Sequence, residues 1–273
     1  MKFDIRLIMT DLDGTLLTND KKVTKRTKDA IISAKKKGIL FGIATGRTLF
    51  AVERLITEWE IDDVVDVMMG MNGAQRWDFV KDYKETSDYL AGNYMIEILD
   101  KTKELDAVPV LYKDDTRELI SENVTPEIEI LGRNNHYTPK KIASLKEYVK
   151  DREFEKLILC CRPDYMDTVK EFCAPLDCVN YRGFCTGELL YEFMKPIVSK
   201  SYGISKICEH YDFDIQKVMV FGDNSNDIEM IRDAGVGVCM INGSDDAKAV
   251  AKVITEYSNE EDGLAKFIED HVL

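Results

Sequence analysis

The chain has few of the features that an oxidised, zinc-bound or membrane-inserted protein needs. Its seven cysteines are odd in number and include no Cys-x-x-Cys pair, so they fit neither a disulfide framework nor a zinc site. No apolar run approaches the length of a membrane span, and residues 1–9 lack the layout of a signal peptide. We therefore expect reduced thiols and a soluble protein of the cytoplasm.

The chain also lacks a basic excess. It has 37 Lys and Arg residues against 50 Asp and Glu residues, which gives a net charge of −13 and a sequence pI near 4.8. Nucleic-acid backbones and anionic membranes bind basic patches, so neither is expected as the main partner. The remaining expectation is a small-molecule partner, bound by a monomer or a weak homodimer.

The length and the order of elements predict two domains. A chain of 273 residues with 45% hydrophobic content is long for one simple domain. Strand-like and helix-like segments alternate near the N-terminus: a strand at 5–9, a helix at 24–37, a strand at 39–44, a helix at 48–59, a strand at 64–69 and a hairpin turn at Asn72-Gly73.

The same alternation returns near the C-terminus. Its predicted elements are a helix at 199–211, a strand at 217–221, a helix at 224–234, a strand at 236–240 and helical stretches at 245–252 and 261–271. This order predicts an α/β fold in which a doubly wound parallel sheet is covered by helices on both faces. The predicted core comprises residues 1–82 and 193–273.

Residues 83–192 differ in composition, with more charge and mixed periodicity. A strand at 156–161, a helix after Pro163 and a hairpin at 178–193 are the clearest elements of this segment. We interpret it as an α+β domain inserted into the core.

Two acidic residues follow the first predicted strand. Asp11 and Asp13 come directly after it, at the edge where open α/β sheets bind ligands, and Gly14 permits the turn that would bring them together. An ordinary acidic surface loop is the alternative for this fragment alone.

Two further predicted strands end in polar residues. Thr45-Gly46-Arg47 offers a hydroxyl, a flexible backbone and a guanidinium for a phosphoryl group, or else a helix cap and a surface arginine. Asp223 and Asp227 follow the strand at 217–221, and without the full EF-hand pattern calcium is disfavoured.

Four carboxylates at one edge of a sheet would repel each other unless a cation bound there. Hard oxygen ligands that leave room for water and phosphate suit Mg²⁺. Lys200, at the start of a predicted helix, would add a positive charge, although most lysines are merely solvated.

Taken in order, these motifs resemble those of the haloacid-dehalogenase superfamily of phosphohydrolases. Further short matches resemble its Cof-type sugar-phosphatase subfamily, and the insert resembles that subfamily's type IIB cap in location. The matching residues are Asp11-Leu12-Asp13-Gly14-Thr15, Thr45-Gly46-Arg47, Asn72-Gly73-Ala74, Lys200, Gly222-Asp223, Asn226-Asp227, Thr255, Asn259 and Glu261-Asp262-Gly263. Ser201 stands where the family commonly has glycine.

The resemblance implies a Mg²⁺-dependent phosphatase acting on small phosphorylated metabolites such as sugar phosphates, through an aspartyl-phosphate on Asp11. Asp13 would be the general acid and base. The remaining implied roles are metal ligands Asp11, Asp223 and the Asp13 carbonyl, support of those ligands by Asp227, and phosphate binding by Thr45, Gly46, Arg47, Lys200 and Asn226.

Three other interpretations stay open at this point. A response-regulator receiver also accepts a phosphoryl group on aspartate, but it is about half this length and lacks an acid two residues after the nucleophile. A phosphomutase or phosphotransferase would share both the fold and the covalent intermediate. A non-catalytic regulatory protein that accepts a phosphoryl group is the third.

Overall fold

The first strand of the protein has four residues, and all of them are buried. The structure is a computed structural model in which residues 3–273 are described. β1 (Leu7–Thr10) pairs with a parallel strand on each side, and the burial of all four residues shows that both of its faces are covered as well. An apolar run without alternation is typical of such a central strand.

The chain then forms the first half of a large sheet with its helices. Thr24 and Thr48 cap the two helices, because each side chain accepts a hydrogen bond from a backbone N–H three residues later. These elements are α1 (Lys25–Lys35), β2 (Leu40–Ala44), α2 (Leu49–Glu58), β3 (Val67–Gly70), β4 (Gln75–Asp78) and β5 (Tyr83–Thr86).

The middle of the chain forms a second compact unit, residues 87–198. Its elements are β6 (Leu90–Ala91), α3 (Gly92–Thr102), β7 (Val108–Lys113), β8 (Glu118–Ser121), α4 (Pro126–Asn135), β9 (Thr138–Lys141), α5 (Leu145–Val149), β10 (Glu153–Phe154), β11 (Leu157–Cys160), α6 (Met166–Cys173), β12 (Arg182–Cys185) and β13 (Leu190–Met194). Six of its strands form one sheet in the order β12-β13-β11-β7-β8-β9. We call this unit the insert; it is α+β, and its predicted limits, 83 and 192, fall a few residues earlier.

The insert has a hydrophobic core of its own. Leu111, Leu157 and Phe193 point from the sheet toward helical residues such as Ile98 and Val169, and all five are buried. Burying each such side chain contributes roughly 1.5–3 kcal/mol relative to leaving it exposed.

After the insert, the chain returns to the first unit, which consists of the chain up to Thr86 and from Ser199 onward. We call this unit the core unit. Its remaining elements are α7 (Lys200–Tyr211), β14 (Val218–Gly222), α8 (Ile228–Asp233), β15 (Val236–Cys239), α9 (Asp245–Val250), β16 (Val253–Ile254) and α10 (Gly263–His271).

The large sheet has the order β16-β15-β14-β1-β2-β3-β4-β5. Its first six strands are parallel, whereas β4 is antiparallel to both of its neighbours, β3 and β5. The turn predicted at Asn72-Gly73 lies between β3 and β4, where the connection is too short for a crossover and can only reverse the chain.

Helices cover both faces of this sheet, as a doubly wound fold requires. Ile8 of β1 packs in a core cluster with residues of α1, α2 and α10. Its neighbours Leu7 and Met9 face the opposite way and pack with residues of α7, α8 and α9. The predicted α/β class is confirmed.

The helices also bear on the question of membrane insertion. Within residues 3–273, every helix is either too short or too polar to traverse a lipid bilayer.

Candidate active site

The polar motifs of the core unit meet at one edge of its sheet. β14, β1 and β2 are adjacent and parallel, so the residues after them share the carboxyl edge where such sheets bind ligands. Asp11 follows β1, Thr45 follows β2 and Asp223 follows β14. Carboxylate oxygens of Asp11, Asp223 and Asp227 all lie within 4.8 Å of one another.

The turn after Asp11 is held against Asp223. Gly14 has a left-handed φ of +83°, and a Cβ at this position would lie 2.5 Å from Asp223 Oδ2. The next residue, Thr15, donates a hydrogen bond from its hydroxyl to Asp223 Oδ1 at 2.6 Å. Glycine is therefore required here for both the turn and the close approach.

Lys200 lies between two of the carboxylates. Its side chain is fully buried, and Nζ lies 2.5 Å from Asp11 Oδ1 and 2.6 Å from Asp227 Oδ1. Ser199 caps the helix that carries it, accepting a hydrogen bond from Tyr202 N. Burial opposes the charge of Lys200, but the attraction of Asp11 and Asp227 outweighs it and raises the lysine's pKa.

Burial and mutual repulsion make Asp11 and Asp223 hard to ionise. Desolvation raises the pKa of Asp11 well above its usual range; Lys200 opposes this, while Asp227 and Asp223 add to it. Desolvation, together with the charge of Asp227, raises the pKa of Asp223 to about 6. One lysine does not compensate this cluster, so an additional cation would stabilise its ionised form.

Asp13 is held by two basic side chains. Burial disfavours its charge, but Arg47 and Lys21 outweigh burial and lower the pKa of Asp13 below its usual value. Arg47 Nη2 lies 2.9 Å from Asp13 Oδ2, and Lys21 Nζ lies 2.6 Å from Oδ1. The guanidinium that the sequence assigns to phosphate thus contacts Asp13.

Asp227 uses its oxygens within the protein. Oδ2 accepts hydrogen bonds from the backbone N–H groups of Asp223 and Asn224, at 2.9 and 3.0 Å, and Oδ1 accepts one from Lys200. These bonds fix the turn that carries Asp223 and engage both carboxylate oxygens of Asp227.

The predicted phosphate-binding residues lie on neighbouring turns. Thr45 is buried, its N–H donates to Met69 O, and its hydroxyl accepts from Arg47 N. Asn226, on the turn after β14, donates from Nδ2 to Asn72 Oδ1 at 3.3 Å. Asn72 carries no predicted role in phosphate binding, so this contact is new.

Two contacts of the site were not foreseen. Lys21 lies in an exposed, lysine-rich loop that reads as an ordinary solvated segment. Asn72 reads as a turn residue, and its partner Asn226 is 154 positions away along the chain. The sequence carried one signal for Asn72, the preference of Asn for left-handed turns. That preference predicts the backbone conformation but not the side-chain contact with Asn226.

The insert contains aromatic and basic side chains in several different environments. Tyr89 and Tyr112 line a cavity of about 700 Å³ within the insert, whereas Tyr181 is fully buried in its core. Arg162 pairs with Asp106 at 2.9 Å, and Arg182 donates to Val198 O.

Comparison with known proteins gives consistent matches. The sequence profile described as haloacid dehalogenase-like hydrolase matches residues 8–268. The enzyme YitU of Bacillus subtilis, named 5-amino-6-(5-phospho-D-ribitylamino)uracil phosphatase, is 27% identical over 273 residues, covering 97% of each chain.

Solved structures have the same fold. A haloacid dehalogenase-like hydrolase from Bacteroides thetaiotaomicron superposes with a TM-score of 0.80 at 23% identity, covering 97% of this chain and 99% of that one. A sugar phosphatase of subclass IIB gives a TM-score of 0.80 at 20% identity, covering 97% and 98%.

Proposed function

This chain belongs to the haloacid dehalogenase-like hydrolases and is a phosphatase, and we propose that it hydrolyses small phosphomonoesters through an aspartyl-phosphate on Asp11 with Mg²⁺ bound alongside. The observation that carries this proposal is the cluster of Asp11, Asp223 and Asp227, two of which, Asp11 and Asp227, contact the buried Lys200. Acyl-phosphate formation splits one difficult displacement into two easier ones.

The cluster is chemically suited to Mg²⁺. Its free acceptors are carboxylate oxygens, which are the hard ligands this ion prefers, and burial leaves them short of positive charge. Asp11, Asp223 and the Asp13 carbonyl would hold the ion. When bound, Mg²⁺ supplies positive charge that offsets repulsion between the carboxylates and the phosphate.

The first step forms a bond between an Asp11 oxygen and phosphorus while the bond to the leaving oxygen breaks. Asp13 donates its proton to that leaving oxygen, so an alcohol departs. Arg47 and Lys21 favour the ionised Asp13 in the free protein. A phosphate dianion nearby offsets those two charges, which raises the affinity of Asp13 for the proton it must carry.

The second step releases phosphate. Asp13, now ionised, takes a proton from a water molecule whose oxygen attacks phosphorus, and the bond to Asp11 breaks. Asp11 leaves as a carboxylate, which Lys200 stabilises at 2.5 Å. Thr45, Gly46 and Asn226 would bind the phosphoryl oxygens on which negative charge accumulates.

For the substrate we propose a phosphorylated sugar or polyol. The Bacillus subtilis relative is named for a substrate with a phosphorylated ribityl chain. A polyol phosphate presents one dianion to the core unit and an uncharged polar remainder, which an acidic protein of net charge −13 does not repel.

The direct test is a phosphate-release screen over phosphorylated sugars, polyols, pyridoxal phosphate and flavin mononucleotide. We expect release of inorganic phosphate with Mg²⁺ present and none after a chelator removes it. Transfer to a second hydroxyl, detected as an isomer without free phosphate, would instead favour a mutase. No release from any phosphomonoester would contradict the proposal.

Replacement of Asp13 tests its role as the acid. We expect Asp13→Asn to lower kcat on alkyl phosphates by about 10²–10³-fold, within the range for general acid catalysis. The loss on p-nitrophenyl phosphate should be smaller in the first step, because nitrophenolate leaves without a proton. A burst of nitrophenolate or alcohol reports the first step, and the steady-state release of phosphate reports the complete cycle, so the two measurements separate the steps.

Asp29→Asn is a suitable control, since Asp29 is exposed and pairs only with Lys25 among the ion pairs of residues 3–273. Equal losses on both leaving groups in the burst phase would show that Asp13 does not protonate the leaving oxygen.

A further inference from the structure

The turn between β3 and β4 has an unusual backbone. Met71, Asn72 and Gly73 all have left-handed φ angles, of 49°, 52° and 104°. For methionine this region costs free energy, and such strain persists only where surrounding contacts enforce it. All three residues are buried, so the turn is held by the protein around it.

The backbone of this turn bonds to the phosphate-binding loop. Met71 N donates to Arg47 O at 2.8 Å, and Asn72 N donates to Thr45 O at 3.0 Å. A simple hairpin needs neither bond, since two residues suffice to reverse the chain. The left-handed geometry therefore directs these N–H groups at the loop formed by residues 45–47.

The side chain of Asn72 joins that loop to a second one. It is 1% exposed, and its Oδ1 accepts the hydrogen bond from Asn226. A Cβ on Gly46 would lie 3.2 Å from the same oxygen, so the Asn72 amide packs directly against the Gly46 backbone. One amide thus contacts two residues that the proposed function assigns to phosphate.

The third residue of the turn packs against the helix that carries Lys200. A Cβ on Gly73 would lie 2.4 Å from Ser199 O and 3.0 Å from Gly203 N. The turn therefore touches three segments that bear phosphate-binding residues.

We propose that Asn72 is a positioning residue that sets the separation between the Gly46 backbone and the Asn226 amide, so that both reach one phosphoryl group. This inference rests on the proposed function, because it assumes that phosphate binds between them. A buried amide that served only to stabilise the fold would affect unfolding but not phosphate affinity.

The test is a double-mutant cycle on Asn72 and Asn226, read by calorimetric binding of inorganic phosphate in Mg²⁺ buffer and by KM and kcat. Asn72→Gly removes the amide and tolerates the left-handed backbone. We expect phosphate Kd and KM to rise about tenfold in Asn72→Gly and about tenfold in Asn226→Ala. Because the two residues act together, the rise in the double variant should be less than about twice the rise in either single variant.

Asp212→Gly is the matched control. Asp212 is exposed, has a left-handed φ of 56° and ends α7, so it reports the effect of a new glycine alone. Its phosphate affinity should equal that of the unmodified protein. Independent, additive losses at positions 72 and 226, or unchanged affinity in Asn72→Gly, would overturn the inference.

Asn72→Asp covers the case in which Asn72→Gly does not fold. Aspartate keeps the shape, the acceptor and the left-handed backbone, but it places a carboxylate beside Gly46. We expect a lower melting temperature, because the added carboxylate is buried, together with about tenfold weaker phosphate binding and a higher KM in the folded variant, and normal affinity would refute the inference. If the unmodified protein bound phosphate but showed no turnover, the proposed function would be rejected. The double-mutant cycle would still test the inference through phosphate affinity.

Discussion

Asp11→Asn should have no measurable phosphatase turnover and should remain folded. The amide is a poor nucleophile toward phosphorus, so the aspartyl-phosphate cannot form and no slower step replaces it. The fold should persist because burial and two neighbouring carboxylates already disfavour a charge at Asp11. Lys200 keeps its second partner, Asp227, at 2.6 Å.

The measurement combines phosphate release with thermal unfolding and with acid trapping of the phosphorylated enzyme. The unmodified protein should retain labelled phosphate on Asp11 after an acid quench, and Asp11→Asn should retain none. Asp29→Asn, an exposed change of the same kind, controls for loss of one carboxylate. Near-normal hydrolysis by Asp11→Asn would mean that another residue, or water directly, attacks phosphorus.

The fold of the core unit was predictable because short stretches of sequence are enough to identify its strands. Ile8, Ile43 and Phe221 lie in short apolar runs, and parallel strands buried on both faces require such runs. The polar residues that follow β1, β2 and β14 then share one edge by topology. The matching sequence profile confirms the family and the sheet confirms the α/β class, while the assigned roles of the site residues stay predictions.

Contacts that depend on how a loop or a turn folds were not predictable. Lys21 contacts Asp13 eight positions earlier across an exposed loop, and a surface lysine carries no mark of such a contact. Asn72 shows the same limit, since an Asn-Gly pair specifies a turn but not the residue that its side chain meets.

Much of the insert escaped prediction for a different reason. β9 reads Thr-Pro-Lys-Lys and is largely exposed at the edge of its sheet, so it has neither alternation nor apolar content. α5 has only five residues, which is shorter than the window from which helical periodicity is read.

Lys200→Met is expected to lose both activity and stability. Methionine has a similar length but no charge, so Asp11 and Asp227 would face each other in a buried site without their shared cation. Removing one partner of a buried ion pair costs about 3–5 kcal/mol of unfolding free energy. Turnover should fall by on the order of 10³-fold, since a cation opposite the transferred phosphoryl group is lost.

The stability loss should depend on pH in a defined direction. The pKa of Asp11 is already raised by burial, and removing the opposing charge of Lys200 raises it further. The folded variant then binds a proton that the unfolded chain, with its Asp pKa near 3.8, does not bind. Stability is therefore lost as pH rises through the folded-state pKa of Asp11 and is regained below it.

Urea unfolding in chelator between about pH 5 and about pH 8 measures this effect through the linkage of protons to folding. The gap between Lys200→Met and the unmodified protein should narrow toward pH 5. Lys25→Met, at an exposed lysine paired with Asp29, should have nearly the same unfolding free energy as the unmodified protein at every pH. A gap that stays constant over this range would show that Lys200 stabilises the fold by packing instead of by compensating the two carboxylates.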